Sequence, residues 1–118
     1  MLRMRRMKMI SNEEIQNVVD TIVEHFQPQR VVLFGSYATG EATDDSDLDL
    51  LVIKDTDLPR QRRLVGLGKK LTKVLVHPMD ILVYTPQEVA ERSGCGGDFV
   101  TQVIREGKTV YGDERANH

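Results

Sequence analysis

"LFGSYATGEATDDSDLDLLVI", residues 33–53, decides how the rest of the chain reads. It opens on the end of an apolar run, turns at Gly35-Ser36, and crosses a polar stretch holding Gly40, Thr39 and Thr43. It then enters a second apolar run, Leu48 to Ile53, with Asp47 ahead of it and Asp49 inside it. Side chains alternate across a strand, so Asp47 and Asp49 project from one face, about 7 Å apart at Cβ. Like charges that close repel, and burying them unpaired is costly. A wet, exposed strand end would tolerate the pair without any ligand. A divalent cation would neutralise it directly, and hard oxygen ligands favour Mg²⁺, Mn²⁺ or Ca²⁺.

Two neighbouring features favour the cation. Asp80 is a lone carboxylate near the start of another apolar run, "MDILVY", residues 79–84. If that run is a strand beside residues 48–53, Asp80 joins Asp47 and Asp49 at one end of a sheet. Gly35-Ser36 ends the first strand, where glycine lets the backbone approach a ligand and exposed N–H groups can receive phosphate oxygens. Three carboxylates beside a phosphate cradle are the parts of two-metal phosphoryl or nucleotidyl transfer. Two competitors fail on their letters. An EF-hand loop opening at Asp45 would need Gly where Leu50 stands and Glu where Thr56 stands. No G-x-x-x-x-G-K-[ST] phosphate loop occurs.

Outward from this stretch, the pattern is that of a small α/β domain. Ser11-Asn-Glu-Glu14 has the capping-box form, and Ile15, Val18, Val19, Ile22, Val23 and Phe26 follow helical spacing. A first helix is expected over residues 12–26, closed by Pro28. "RVVLFG" reads as the first strand, residues 36–46 as a loop or short helical turn, and "LDLLVI" as a second strand covered on both faces. Asp57-Leu-Pro59 offers a helix start, and Leu64, Leu67, Leu71, Val74 and Leu75 form an apolar stripe, with the basic residues on the remaining faces. His77-Pro78 breaks that helix before the third strand. Thr85 caps a short helix with Pro86 at its first position. Gly94, Gly96 and Gly97 make a loop. Phe99, Val100, Val103 and Ile104 line a last helix, which Gly107 stops. The expected fold class is α/β (α+β), a small mixed three-stranded sheet with helices packed on it.

At 118 residues the chain is expected to form one domain over residues 11–112, with a basic N-terminal tail, 1–10, and a C-terminal tail, 113–118. The formal net charge is −2 and its distribution is uneven. Residues 1–9 carry four basic residues and no acid, residues 59–76 carry six, and Glu41 to Asp49 holds five carboxylates. The basic segment at 59–76 is the composition of a solvated helix face, so nucleic acid is not expected as a partner. The single cysteine, Cys95, fits a reducing compartment, and a cytoplasmic location is expected. No apolar run approaches a membrane span, so no membrane partner is expected. His25, His77 and His118 show no motif spacing, and Tyr37 suits packing better than ligand stacking.

Gly35-Ser36, ten residues, then Asp47-x-Asp49, with Asp80 on a later strand, resembles the signature of the DNA polymerase beta-type nucleotidyltransferases. The short length, "MDILVYTPQEV" and "IREGKTVYG" most resemble the minimal, MNT-type members, often encoded beside a HEPN-domain partner as a toxin–antitoxin pair. The resemblance spans roughly residues 11–112 and implies the nucleotidyltransferase fold. It implies that Gly35 and Ser36 hold the β- and γ-phosphates of ATP or another NTP. It further implies that Asp47, Asp49 and Asp80 bind two Mg²⁺ ions, with Mn²⁺ as the substitute, and that Asp80 lies nearest the attacking hydroxyl. Thr39 stands where members commonly carry Arg.

So short a chain leaves little to hold an acceptor, which must come with a partner, a second subunit of a homo-oligomer, or a shallow surface. The leading expectation is AMP transfer from ATP to a hydroxyl on a HEPN-type partner. A binding module that neutralises its partner by contact, and a stand-alone enzyme acting on a small molecule, remain as alternatives.

Overall fold

The computed structural model describes residues 8–93 and 98–112. The tails at 1–7 and 113–118, Cys95 and the expected loop of Gly94, Gly96 and Gly97 lie outside the described residues. The elements run α1 (Asn12–Phe26), β1 (Arg30–Phe34), α2 (Ser36–Thr39), β2 (Leu48–Ile53), α3 (Leu67–Thr72), β3 (Met79–Tyr84), α4 (Pro86–Ser93), α5 (Phe99–Glu106) and β4 (Lys108–Gly112). A 3-10 turn at Arg60–Arg62 precedes α3.

The first helix forms as its letters require. Ser11 Oγ accepts from the Glu14 N–H at 3.1 Å, and Glu14 Oε1 accepts from the Ser11 N–H at 2.9 Å. Ile15, Val18, Val19 and Ile22 are buried. Thr85 and Glu88 make the same reciprocal bonds at the start of α4. Asp98 caps α5 by accepting from the Val100 N–H at 2.8 Å.

Among the described residues the sheet has four strands, not the expected three, in the order β3-β2-β1-β4. β2 and β3 are parallel, while β1 is antiparallel to both β2 and β4. β4 escapes a sequence reading because Lys108–Gly112 is short and only Val110 packs against the core, so no alternation develops. α1 and α3 cover one face of the sheet, burying Val31, Leu48, Leu50 and Val52. α4 and α5 cover the other, over Val32, Leu51, Ile53 and Tyr84. Ile10, placed by sequence in the N-terminal tail, is buried against the first of these cores, and its N–H donates to Tyr37 Oη at 2.9 Å. Tyr37 is thereby a packing residue.

The long helix expected from residue 57 onward does not form. Gly66 takes a left-handed φ of +86° and separates a loop from the six-residue α3. The basic residues are not all solvated, either. Arg63 is 8% exposed; it donates to the carbonyls of Leu58 at 2.9 Å and Val83 at 3.1 Å and forks onto both oxygens of Glu88 at 2.7 and 3.2 Å. That clamp ties the 58–63 loop to β3 and α4. Arg60 and Arg92 lie over the ring of Tyr84 at 4.6 and 5.1 Å, closing the same corner.

The hydrogen bonds from Arg63 hold the Glu88 carboxyl down at about 2, from an ordinary 4.5. A depressed carboxylate stabilises above its unfolded value and loses that contribution as pH falls towards its folded one. Glu88→Gln leaves Arg63 buried with its charge unanswered and should cost about 2–3 kcal/mol by urea unfolding at pH 7. The gap to wild type should narrow as pH falls from 4.5 to about 2. A variant within about 0.5 kcal/mol of wild type at pH 7 would contradict a structural clamp.

Candidate active site

Strand register assembles the site. Phe34 of β1 pairs with Asp49 of β2, and Asp49 pairs with Asp80 of β3. These three residues form one row across the sheet, on the face that α4 and α5 cover elsewhere. The next row, Val32, Leu51 and Leu82, lies within that covered core. The row after it, Arg30, Ile53 and Tyr84, is buried too. The face therefore changes over one strand repeat from apolar core to an open shelf of carboxylates. Asp47 stands one residue before β2, on the same face as Asp49 and further out. Asp47 and Asp80 are exposed and Asp49 is half-buried.

The electrostatics follow. Burial pushes the Asp49 carboxyl above its ordinary value, and the charges of Asp80 and Asp47 push it further the same way. Asp49 thus feels both partners, and the shelf holds negative charge that nothing in the described residues neutralises. The donors are hard carboxylate oxygens on paired strands about 4.8 Å apart, suited to Mg²⁺ or Mn²⁺. Among the described residues no group of three Asp, Glu, His or Cys side chains is arranged to hold a metal ion.

Gly35 borders the shelf. Its φ is +73°, and a Cβ there would overlap Asp49 Oδ2 and sit 3.2 Å from Asp49 Cγ. Only glycine combines that backbone with so close an approach. Ser36 then opens the single turn α2, whose last residue, Thr39, turns its hydroxyl onto the Ser36 carbonyl at 3.3 Å. Gly35 and Ser36 therefore stand beside Asp49, while Asp80 stands on the opposite side of it. Gly35 also borders a cavity of about 190 Å³ between α2 and α5. Its wall includes Phe34 and Phe99, whose rings meet edge to face at 5.7 Å.

The letters could not reveal that Phe34 stands in line with the two aspartates, because cross-strand pairing is invisible without the register. His25 and His77 lie outside the carboxylate row, as their lack of motif spacing implied.

Two outcomes test this geometry. Asp49 carries a raised folded value, so its charged form opposes folding once pH exceeds that value. Asp49→Asn should therefore stabilise the metal-free protein at pH 7, by up to about 1 kcal/mol after solvent screening. Melting with chelator present measures it, and an unchanged or lowered Tm would contradict the crowding. Gly35→Ala should destabilise by roughly 1–3 kcal/mol through backbone strain and collision. Combining it with Asp49→Ala, which removes the struck carboxylate, should recover part of that loss. Strictly additive losses would show that the two residues do not touch.

Comparison with known proteins matches residues 15–108 to a family model described as a nucleotidyltransferase domain. The protein adenylyltransferase MntA of Thermococcus cleftensis is 31% identical over 102 residues, which are 83% of this chain and 98% of that protein. A toxin–antitoxin crystal structure with AMP-PNP shares the fold at a TM-score of 0.60 and 24% identity, covering 91% of this chain and 78% of that one. A Shewanella oneidensis structure, a tri-AMPylated HEPN toxin in complex with an MNT antitoxin, aligns at a TM-score of 0.50 and 22% identity over 86% of this chain and 75% of that one. The match covers most of the domain, including Gly35, Ser36 and all three aspartates, and this chain belongs to the nucleotidyltransferase domain family and is a nucleotidyltransferase.

Proposed function

We propose that this nucleotidyltransferase moves AMP from ATP to a hydroxyl on a partner protein, a HEPN-type toxin that it neutralises as antitoxin. The observation that carries the reading is the row in which Asp49 faces Asp80 across two parallel strands, with Gly35 against Asp49. A relative 31% identical is named a protein adenylyltransferase, and fold neighbours are toxin–antitoxin complexes, one with AMP-PNP and one with an AMPylated toxin. Those are properties of the neighbours, and they support the same reading here.

In this reading each residue has one task. The backbone at Gly35 and the hydroxyl of Ser36 hold the β- and γ-phosphates. Asp47, Asp49 and Asp80 would hold two Mg²⁺ ions, which, when bound, supply charge neutralisation at the triphosphate and at the attacking oxygen. Asp80 lies on an edge strand, across Asp49 from Gly35, and in this reading it would face the incoming acceptor. Its carboxylate orients the hydroxyl and accepts its proton as the oxygen attacks the α-phosphorus and pyrophosphate leaves. Most of the rate comes from positioning and electrostatics. Thr39 brings no cation to the triphosphate, which leaves phosphate charge to the metals and backbone donors.

The test uses the purified chain, Mg²⁺, ATP labelled at the α-phosphate, and a HEPN-domain protein. Label should pass to that protein, and Asp47→Ala/Asp49→Ala should lower the rate by at least about 10³-fold, as loss of transition-state charge stabilisation does. Asp80→Asn should lower it comparably while ATP binding persists. A double variant that labels at the wild-type rate would remove the carboxylates from the chemistry. A double variant that still neutralises the toxin would favour neutralisation by contact alone.

A further inference from the structure

The outer edge of β3 has a register of its own. Backbone groups of alternate residues face alternate sides of a strand. The Pro78 carbonyl accepts from Leu48 and the Tyr84 carbonyl from Lys54, so residues 78, 80, 82 and 84 turn their backbone towards β2. Met79, Ile81 and Val83 therefore turn theirs outward. Arg63 covers the Val83 carbonyl at 3.1 Å. Beside Met79 and Ile81 the edge is instead open, along a groove of about 370 Å³ whose other wall is Leu64, Leu67 and Leu71. Exposed aliphatic residues lie on the same segment, Val65 at 72% and Val76 at 76%. The lining of this groove holds no Lys or Arg, and Lys70 and Lys73 border a separate hollow with Thr21 and Glu24.

We infer that this edge receives an extended segment of the partner protein as a fifth strand, and that the register so imposed delivers the acceptor hydroxyl to Asp80. The inference rests on the reading above for the acceptor being a protein hydroxyl. Strand addition satisfies the outward backbone groups of Met79 and Ile81. A residue directly opposite Asp80 then projects from the same face, with Cβ about 5 Å from that of Asp80, over the carboxylate shelf. Its two neighbours project to the other face, into the groove against Leu64, Leu67 and Leu71. The segment selected is thus an apolar residue, a hydroxyl residue and a second apolar residue. RNA fits less well, because residues 58–76 offer branched aliphatics and no aromatic platform for stacking.

A fluorescein-labelled peptide with the order Ser-Thr-Val-Tyr-Val-Thr-Ser tests the inference on the full chain. The readouts are anisotropy and amide shifts, without nucleotide. Shifts should centre on Met79, Ile81 and residues 62–72. N-methylation of the peptide at the edge-facing positions should weaken binding by at least about tenfold, and at the intervening positions by less than twofold. Leu64→Asp, at an exposed position, should weaken it comparably. Equal effects of the two methylation patterns would overturn strand addition. So would equal binding of a peptide with Asp in place of both Val residues, binding of a uridine-rich RNA in its place, or no binding. Labelling of the HEPN protein separates the two proposals. Binding with no AMP transfer by wild type would sink the transfer reading alone, and transfer unaffected by Leu64→Asp would sink the docking alone.

Discussion

The parallel pairing of β2 with β3 places Asp49 opposite Asp80, and the candidate site depends on that register. A one-residue slip would turn all of one strand's side chains to the other face. Asp80 would enter the apolar core under α1 and α3, and its charge would have no partner there. The register is protected by the rows behind it. Leu51, Ile53 and Tyr84 are buried under α4 and α5 and Leu82, opposite Leu51, packs against them, so a slip would expose apolar surface while burying the carboxylate. Apolar packing in two rows thus holds like charges together in the third. The repulsion is tolerated because α5 ends its cover at Phe34 and Phe99 and leaves the aspartates at the open end of the sheet.

The same economy explains how so small a domain can be both stable and incomplete. Its two cores are closed by capping boxes on α1 and α4 and by the Arg63–Glu88 clamp, which are local and satisfied. Its surface around β3 is not. Leu64, Val65 and Val76 face solvent, and among the described residues β3 borders no other strand on its outer side. Natural sheets blunt such edges with charge, proline or cover. Here Arg63 covers only the far end, and the uncovered end carries Asp80.

Much of this was legible in the letters, for identifiable reasons. Asp47, Asp49 and Asp80 stood out because a carboxylate in an apolar run has to be accounted for. Gly35 stood out because a strand that ends on Gly-Ser turns sharply. Ser11 with Glu14 and Thr85 with Glu88 mark helix starts by side-chain chemistry that acts within three residues. What stayed hidden was non-local. β4 owes its existence to pairing with β1, not to its own five residues. The helix expected after Pro59 is interrupted where Gly66 goes left-handed, although its apolar stripe has helical spacing. Arg63 reads as one more surface cation until Glu88, 25 residues on, is folded beside it. The alignment of Phe34 with both aspartates likewise requires the register.

The most direct measurement is titration of the protein with Mn²⁺ in the presence of a non-hydrolysable ATP analogue, followed by electron paramagnetic resonance. The shared row predicts tight Mn²⁺ binding by wild type, and a loss of about tenfold or more in either Asp49→Asn or Asp80→Asn, because the two residues serve one centre. Mn²⁺ binding by Asp80→Asn that matches wild type would show that β3 contributes nothing to the cation site, and the account built on the row would fail.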